Sequence, residues 1–132
     1  MTIYTIGYGN QAPEVFLPRL PPKTVIIDVR ENPYHAWHQA YTAPVLTRSL
    51  KGRYWGMPTL GNLSHRPDRW NPPSLTVARG TLYGLARKMA RDNVSVCLLC
   101  MELRADGCHR RFVAQELADM MNGRAEIVHL EP

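Results

Sequence analysis

The sequence predicts an α/β fold: a single domain over residues 1–132, built on a mostly parallel sheet of four to five strands with helices on both faces. Three observations carry that expectation. Thr24 to Val29 and Val94 to Cys100 are continuous apolar runs, the pattern of strands buried on both sides. Strand-like and helix-like segments alternate along the chain, as parallel strands joined by crossover helices require. A length of 132 residues with 45% hydrophobic content fits one core and excludes a disordered chain.

The elements follow in order. Thr2 to Ile6 alternates and is β-branched, so it reads as a strand, and Gly7-Tyr8-Gly9-Asn10 as the turn after it. Pro13 suits the first turn of a helix running to about Leu20, stopped by Pro21-Pro22. Thr24 to Val29 is the second strand. Thr42 caps and Pro44 starts a short helix to about Leu50, and Arg53 to Met57 forms a small strand. Pro58 to Pro73 reads as a long loop, a feature often tied to function. Ser74 caps a helix with Leu75, Ala78, Leu82, Leu85, Ala86 and Met89 on one stripe. Gly80 and Gly84 weaken that helix but sit one turn apart, spaced for close packing on a sheet. Val94 to Cys100 is the next strand. Cys108 to Met121 is a helix with Phe112, Val113, Leu117, Met120 and Met121 inward, ended by Gly123, and Glu126 to Leu130 is the last strand.

Composition narrows the partners. The net charge is +5 and arginine far outnumbers lysine. Arginine forks match phosphate and carboxylate, so an anionic small molecule or nucleotide is the expected ligand, with nucleic acid a second reading. The competing account is a coding bias, with Arg87, Lys88 and Arg91 merely complementing a helix dipole. No apolar run is long enough to span a membrane. The start of the chain has no basic leader before an apolar stretch, so no signal peptide is expected. Three cysteines without a secretory signal then suggest a reducing, cytoplasmic setting.

Candidate functional groups gather where the strands end, which is where open α/β sheets bind ligands. Gly7, Tyr8, Gly9 and Asn10 follow the first strand. They lack the third glycine of a phosphate-binding fingerprint and read as a plain turn, although glycine also lets a ligand approach the backbone. Asp28 and Arg30 lie two apart, on one strand face. They form either an ion pair closing the sheet edge or a carboxylate orienting a ligand beside an anion-binding arginine. Cys100-Met101-Glu102 ends the third long strand, and Cys108-His109-Arg110 opens the next helix. A thiol at a helix start ionises more easily.

Cys97 and Cys100 match C-x-x-C, but residues three apart in a strand face opposite ways, so Cys97 reads as core. A site from Cys100, Cys108 and His109 lacks a fourth ligand, so neither metal nor cofactor is expected. His35 and His38 could share a helical turn, but their irregular segment favours a surface or packing pair. Cys100 and Cys108 are buried small residues, a pair able to close a disulfide, or a nucleophile with His109 as base and Arg110 on the substrate anion.

These motifs, in this order, resemble the bacterial family known as domain of unknown function 488. The resemblance rests on Thr5-Ile6-Gly7-Tyr8-Gly9-Asn10, Asp28-Val29-Arg30, the Trp55 to Gly61 segment with Leu60-Gly61, Cys100-Met101-Glu102 and Cys108-His109-Arg110, and spans nearly the whole chain. Tyr8-Gly9 stands where His-Ser is commoner in that family, and the stretch between Arg30 and Tyr54 is short. The resemblance implies an α/β fold with a polar pocket at the strand ends, and brings no reaction with it.

Two functional classes remain. In the first, an enzyme acts on a nucleotide, nucleic acid or other anionic substrate. Cys100 or Cys108 is nucleophile or redox thiol, His109 the acid or base, Arg30 and Arg110 the anion site, and Asp28 or Glu102 an orienting or deprotonating group. In the second, a non-catalytic module binds nucleotide or nucleic acid. Its thiols are packing residues, and Arg66, Arg69, Trp70, Tyr54 and Trp55 form an exposed stacking surface or, in the competing account, a loop packed on the sheet.

Overall fold

The computed structural model describes residues 1–132. Its strands are β1 (Thr2–Gly7), β2 (Val25–Asp28), β3 (Tyr54–Gly56), β4 (Val96–Cys100) and β5 (Glu126–His129), and its helices are α1 (Pro13–Phe16), α2 (Ala43–Ser49), α3 (Leu75–Asp92) and α4 (Arg110–Met120). The strands form one sheet of order β3-β2-β4-β1-β5, and every pairing is parallel. The expected α/β class and single sheet are therefore present. No helix is long and apolar enough to cross a membrane.

Alternation along the buried strands divides the core. Val96, Leu98 and Cys100 of β4 join Ile3, Ile27, Leu82, Met89 and Leu117 on the face covered by α3 and α4. Cys97 and Leu99 point the other way, to Ile6, Ile26, Phe16 and Leu46 under α1 and α2. Each such fully buried side chain contributes about 1.5–3 kcal/mol. Cys97 is core, as its strand position requires.

Several local expectations shift. The first helix is one turn, Pro13–Phe16, followed by a 3-10 turn at Leu17–Arg19, because Pro18 has no N–H to continue the ladder. Thr42 precedes α2, but its hydroxyl donates back to the Gln39 carbonyl (2.7 Å) rather than capping the helix. Ser74 does cap α3, accepting from the Val77 N–H at 3.3 Å. Leu75 lies outside the predicted stripe, exposed in the first turn, while Ala78 to Met89 bury as expected. Gly80 and Gly84 face solvent, and a Cβ at either would meet nothing within 4 Å. They pack on no sheet. Phe112 is only half-buried, beneath the Arg111 guanidinium at 4.4 Å.

The strand order positions the site. The chain leaves β1 toward β2 and β3 through α1 and α2, then returns through α3 and α4 to β4 and β5. β1 and β4 lie side by side with Gly7 level with Cys100, yet their outgoing loops diverge to opposite faces. A crevice outside the carboxyl ends follows from that divergence.

The solvent-facing glycines allow a direct test. Gly80→Ala and Gly84→Ala are each expected to raise unfolding free energy by about 1 kcal/mol, read from denaturant midpoints at unchanged m-value. A loss of stability in either would mean that the backbone there is closely approached.

Candidate functional site

The crevice holds a cavity of about 360 Å³, within the range of small-molecule sites. Its walls come from the β1 turn, the segment after β2, the long loop before α3, and the β4–α4 connection.

The β4–α4 connection is pinned across β1. The Glu102 carbonyl lies so close to Gly7 that any Cβ there would overlap it. Arg110 Nη1 donates to that carbonyl at 2.5 Å and Nη2 to the Leu103 carbonyl at 3.3 Å. The Gly9 N–H donates to the Met101 carbonyl at 2.7 Å, with Gly9 in the left-handed region at φ 51°. Gly7 thus admits a neighbouring backbone rather than a ligand. Arg110 corrects the sequence expectation: it is 0% exposed and lines no part of the cavity. The guanidinium clamps a loop, with its two terminal nitrogens on the Glu102 and Leu103 carbonyls. Asn10 is exposed and also lies outside the cavity walls.

The second strand delivers a buried ion pair. Asp28 accepts from Arg30 Nε at 2.9 Å, Nη2 at 2.6 Å and the Arg30 backbone N–H at 3.1 Å. The Tyr54 hydroxyl donates a further bond to it at 2.5 Å. Asp28 is fully enclosed and absent from the cavity wall, where its carboxylate supports Arg30. Arg30 does reach the cavity, 6% exposed, and donates through Nη1 to the Tyr8 hydroxyl at 3.2 Å. Tyr8 stacks on Tyr41 with ring centroids 4.3 Å apart. Burial pushes the Tyr8 phenol up, against the pull of Arg30. Burial opposes the Arg30 charge, but the bonds and charge of Asp28 prevail and hold its pKa above the ordinary value.

Cys100, Cys108 and His109 meet at the cavity floor. The His109 Nε2–H donates to the carbonyls of Val29 (3.0 Å) and Leu60 (3.1 Å). Carbonyls only accept, so Nε2 carries a proton, and Nδ1 faces the thiols, where it takes up the proton that Cys108 gives up. Nδ1 stands 3.8 Å from Cys108 Sγ and 4.0 Å from Cys100 Sγ. Helix α4 begins at Arg110, two residues later than the sequence suggests. Cys108 is extended, and its Sγ accepts from the Arg110 N–H at 3.5 Å.

The two thiols differ electrostatically. Burial opposes ionisation of Cys108, but the Cys100 thiol, His109 and the Arg110 N–H together bring its pKa well below that of an ordinary thiol. Cys100 is pushed up by its bond to Cys108 and by burial. Burial opposes the charged form of His109, yet the Cys108 sulfur beside it raises its pKa. Glu102 accepts from Cys100 Sγ at 3.4 Å, and burial together with Cys108 pushes its carboxyl up.

The long loop supplies what residue-by-residue reading missed. Glu31 and Asn32 line the cavity, as do His35 and Arg66, which the sequence places in a surface or packing pair and on a stacking surface; from the loop come Asn62 and His65. Their signal was the length and proline content of the loop rather than any motif. Asn62 stitches that loop shut, donating to the Arg66 and Arg69 carbonyls and accepting from the Asn71 N–H. His65 faces Glu31 at 3.2 Å. His35 lines the cavity while His38 accepts from the Ala40 N–H, so the two imidazoles share no helical turn.

The expected stacking surface is not one surface. Trp70 donates to the Leu60 and Gly61 carbonyls and packs against the core, and Tyr54 is tied to Asp28. Arg66 and Arg69 both pair with Asp68. Trp55 stays exposed on edge strand β3 under Lys88. Tyr34 and Trp37 are also exposed, at 67% and 57%, and the Trp37 Nε1 donates to the Gly9 carbonyl at 2.7 Å.

No family model, curated protein or solved structure matches the chain.

Asp28→Ala is expected to lower unfolding free energy by about 3–5 kcal/mol, since it strands a buried guanidinium. Tyr54→Phe removes a single bond to the same carboxylate and costs about 1.5–3 kcal/mol. Chemical denaturation of both variants checks the order, and a larger loss for Tyr54→Phe would contradict it.

Proposed function

We propose that this protein is an enzyme that works through the Cys108 thiolate on an anionic, nucleotide-sized substrate held at the carboxyl ends of the strands. The observation that carries this reading is the setting of Cys108 Sγ, which faces the cavity with the Arg110 N–H and the His109 ring directed at it. Packing alone asks for no such donors. Arg30 and Arg66 on the cavity walls suit the substrate's negative charge.

The chemistry is nucleophilic substitution. The thiolate attacks an electrophilic centre, forming a bond to sulfur as the bond to the leaving group breaks. His109 gives the leaving group the proton held on Nδ1. Water, deprotonated by the freed Nδ1 and oriented by Glu102, then cleaves the adduct and restores both the thiolate and the Nδ1 proton. Cys100 stays protonated and donates to Glu102. Asp28 acts only through Arg30.

A second reading, a non-catalytic nucleotide or nucleic-acid module, is favoured by Trp37. Its exposed ring is held on the Gly9 turn, which is hydrogen-bonded to cavity-lining Met101, and suits base stacking. The proposal also includes membership of the domain-of-unknown-function 488 family, supported by motif order, and a cytoplasmic setting, supported by three free thiols.

Alkylation rate against pH, with each cysteine read by mass spectrometry, tests the thiolate. A depressed pKa keeps the thiolate populated as pH falls, so Cys108 should label rapidly near pH 6, where an ordinary thiol, with pKa about 8.5, is almost wholly protonated. Cys100 and Cys97, both raised, should lag up to pH 8. Inorganic phosphate or a nucleotide should slow labelling of Cys108, and His109→Ala should move its profile upward. Uniformly slow labelling, together with salt-dependent nucleic-acid binding lost in Trp37→Ala and Arg66→Ala, would favour the binding module.

A further inference from the structure

We infer that Cys100, Cys108 and His109 form a three-ligand site for a thiophilic divalent cation of the zinc class, with the fourth coordination position open to the cavity. The inference rests on reading this cluster as the reactive centre, and makes the cation a regulator of it. Metal and electrophile would draw on the same sulfur lone pairs, so an occupied site leaves Cys108 unreactive.

The two sulfurs and Nδ1 all lie within 4.8 Å of one another, with the sulfur–nitrogen separations at 3.8 Å and 4.0 Å. Zinc–sulfur bonds of about 2.3 Å and zinc–nitrogen bonds of about 2.0–2.1 Å place tetrahedral ligands about 3.6–3.8 Å apart. The sulfur–nitrogen pairs need to close by a few tenths of an ångström, and the two sulfurs, within 4.8 Å of each other, by at most about 1 Å, to take an ion.

His109 supplies an independent indication. Its Nε2–H is held by the Val29 and Leu60 carbonyls, so the ring cannot turn and its other nitrogen is committed to the thiol side. An outer-shell acceptor on the far nitrogen is how proteins orient metal-bound histidines. Two sulfurs and an imidazole select zinc-class ions over magnesium or calcium.

The sequence argued against a metal because a fourth ligand was missing. An open fourth position removes that objection, since sites with three protein ligands leave it to water or substrate. Glu102 bonds Cys100 but does not converge with the three ligand atoms. Cys97 lies on the other face of the sheet and takes no part. Binding displaces the Cys100 proton and the proton shared by Cys108 and His109 Nδ1 to solvent, so affinity rises with pH.

The test uses the full-length, chelator-treated chain with cobalt(II) as probe and zinc as competitor. We expect sulfur-to-cobalt charge-transfer absorption and intense tetrahedral visible bands, saturating near one equivalent and abolished by zinc. Cys97→Ala should keep these bands. Cys108→Ser and His109→Ala, checked for folding by circular dichroism, should weaken cobalt binding beyond the roughly 10–100-fold of losing only an outer-shell partner. In the wild type, stoichiometric zinc should suppress alkylation of Cys108, a readout that needs no variant to fold. Absent bands, or bands indifferent to both substitutions, overturn the inference. Rapid labelling at pH 6 that zinc does not slow, with no cobalt bands, removes the cation and leaves the thiolate enzyme standing. Thiolate–cobalt bands with slow labelling of the metal-free chain remove the thiolate enzyme and leave the metal site.

Discussion

The Arg110 guanidinium holds the Glu102 and Leu103 carbonyls directly over Gly7, and the cavity depends on that contact. Together with the Gly9 to Met101 backbone bond, it sets the β4–α4 connection against β1, where the two strands are level at Gly7 and Cys100. The clamp needs a residue without a Cβ on one side and a long planar donor on the other. It also draws in the start of α4, since Arg110 is its first residue. The same helix start places Cys108 and His109 on the cavity floor. The cost is a fully enclosed cation met by carbonyl dipoles, with no hydrogen bond to its Nε.

A second constraint ties the site together through His109. One imidazole links the Val29 carbonyl after β2, the Leu60 carbonyl before the long loop, and the thiols of Cys100 and Cys108. These four positions come from four separate stretches of chain. Docking the ring therefore registers the β2 end, the loop and α4 against one another. It also keeps Nδ1 facing the thiols. Rotamer freedom that a surface histidine would keep is removed here, which is what a nucleophile's partner and a metal ligand both require.

Charge is handled differently on the two sides of the cavity. Arg30 is paired from behind with Asp28, with Tyr54 and Tyr8 completing the network, so the face it turns to the cavity is held in one orientation. The specificity that remains is geometric: a planar fork fixed in orientation. On the other side the thiols and Glu102 crowd into a half-enclosed space where only part of their possible negative charge can exist together. Cys108 takes the charge because its backbone donor and its imidazole neighbour favour it, and Cys100 and Glu102 hold their protons more tightly in response.

Much of the architecture was legible in the sequence. The buried strands within Thr24–Val29 and Val94–Cys100, observed at Val25–Asp28 and Val96–Cys100, the Ser74 cap and the opposed faces of Cys97 and Cys100 are local patterns, set by the periods of strand and helix, and they hold. So does the gathering of Arg30, Glu102, Cys108 and His109 at one rim, because parallel strands share an end. Side-chain roles were another matter. Arg110 and Asp28 carry the charges of a ligand site yet work as supports, Trp70 turned inward, and Asn62, His65 and Arg66 came from a loop without a motif. Periodicity reports which way a residue leaves its own element. Whether that direction ends in solvent, in a carbonyl or in a cavity depends on segments tens of residues away, and tertiary packing alone decided it.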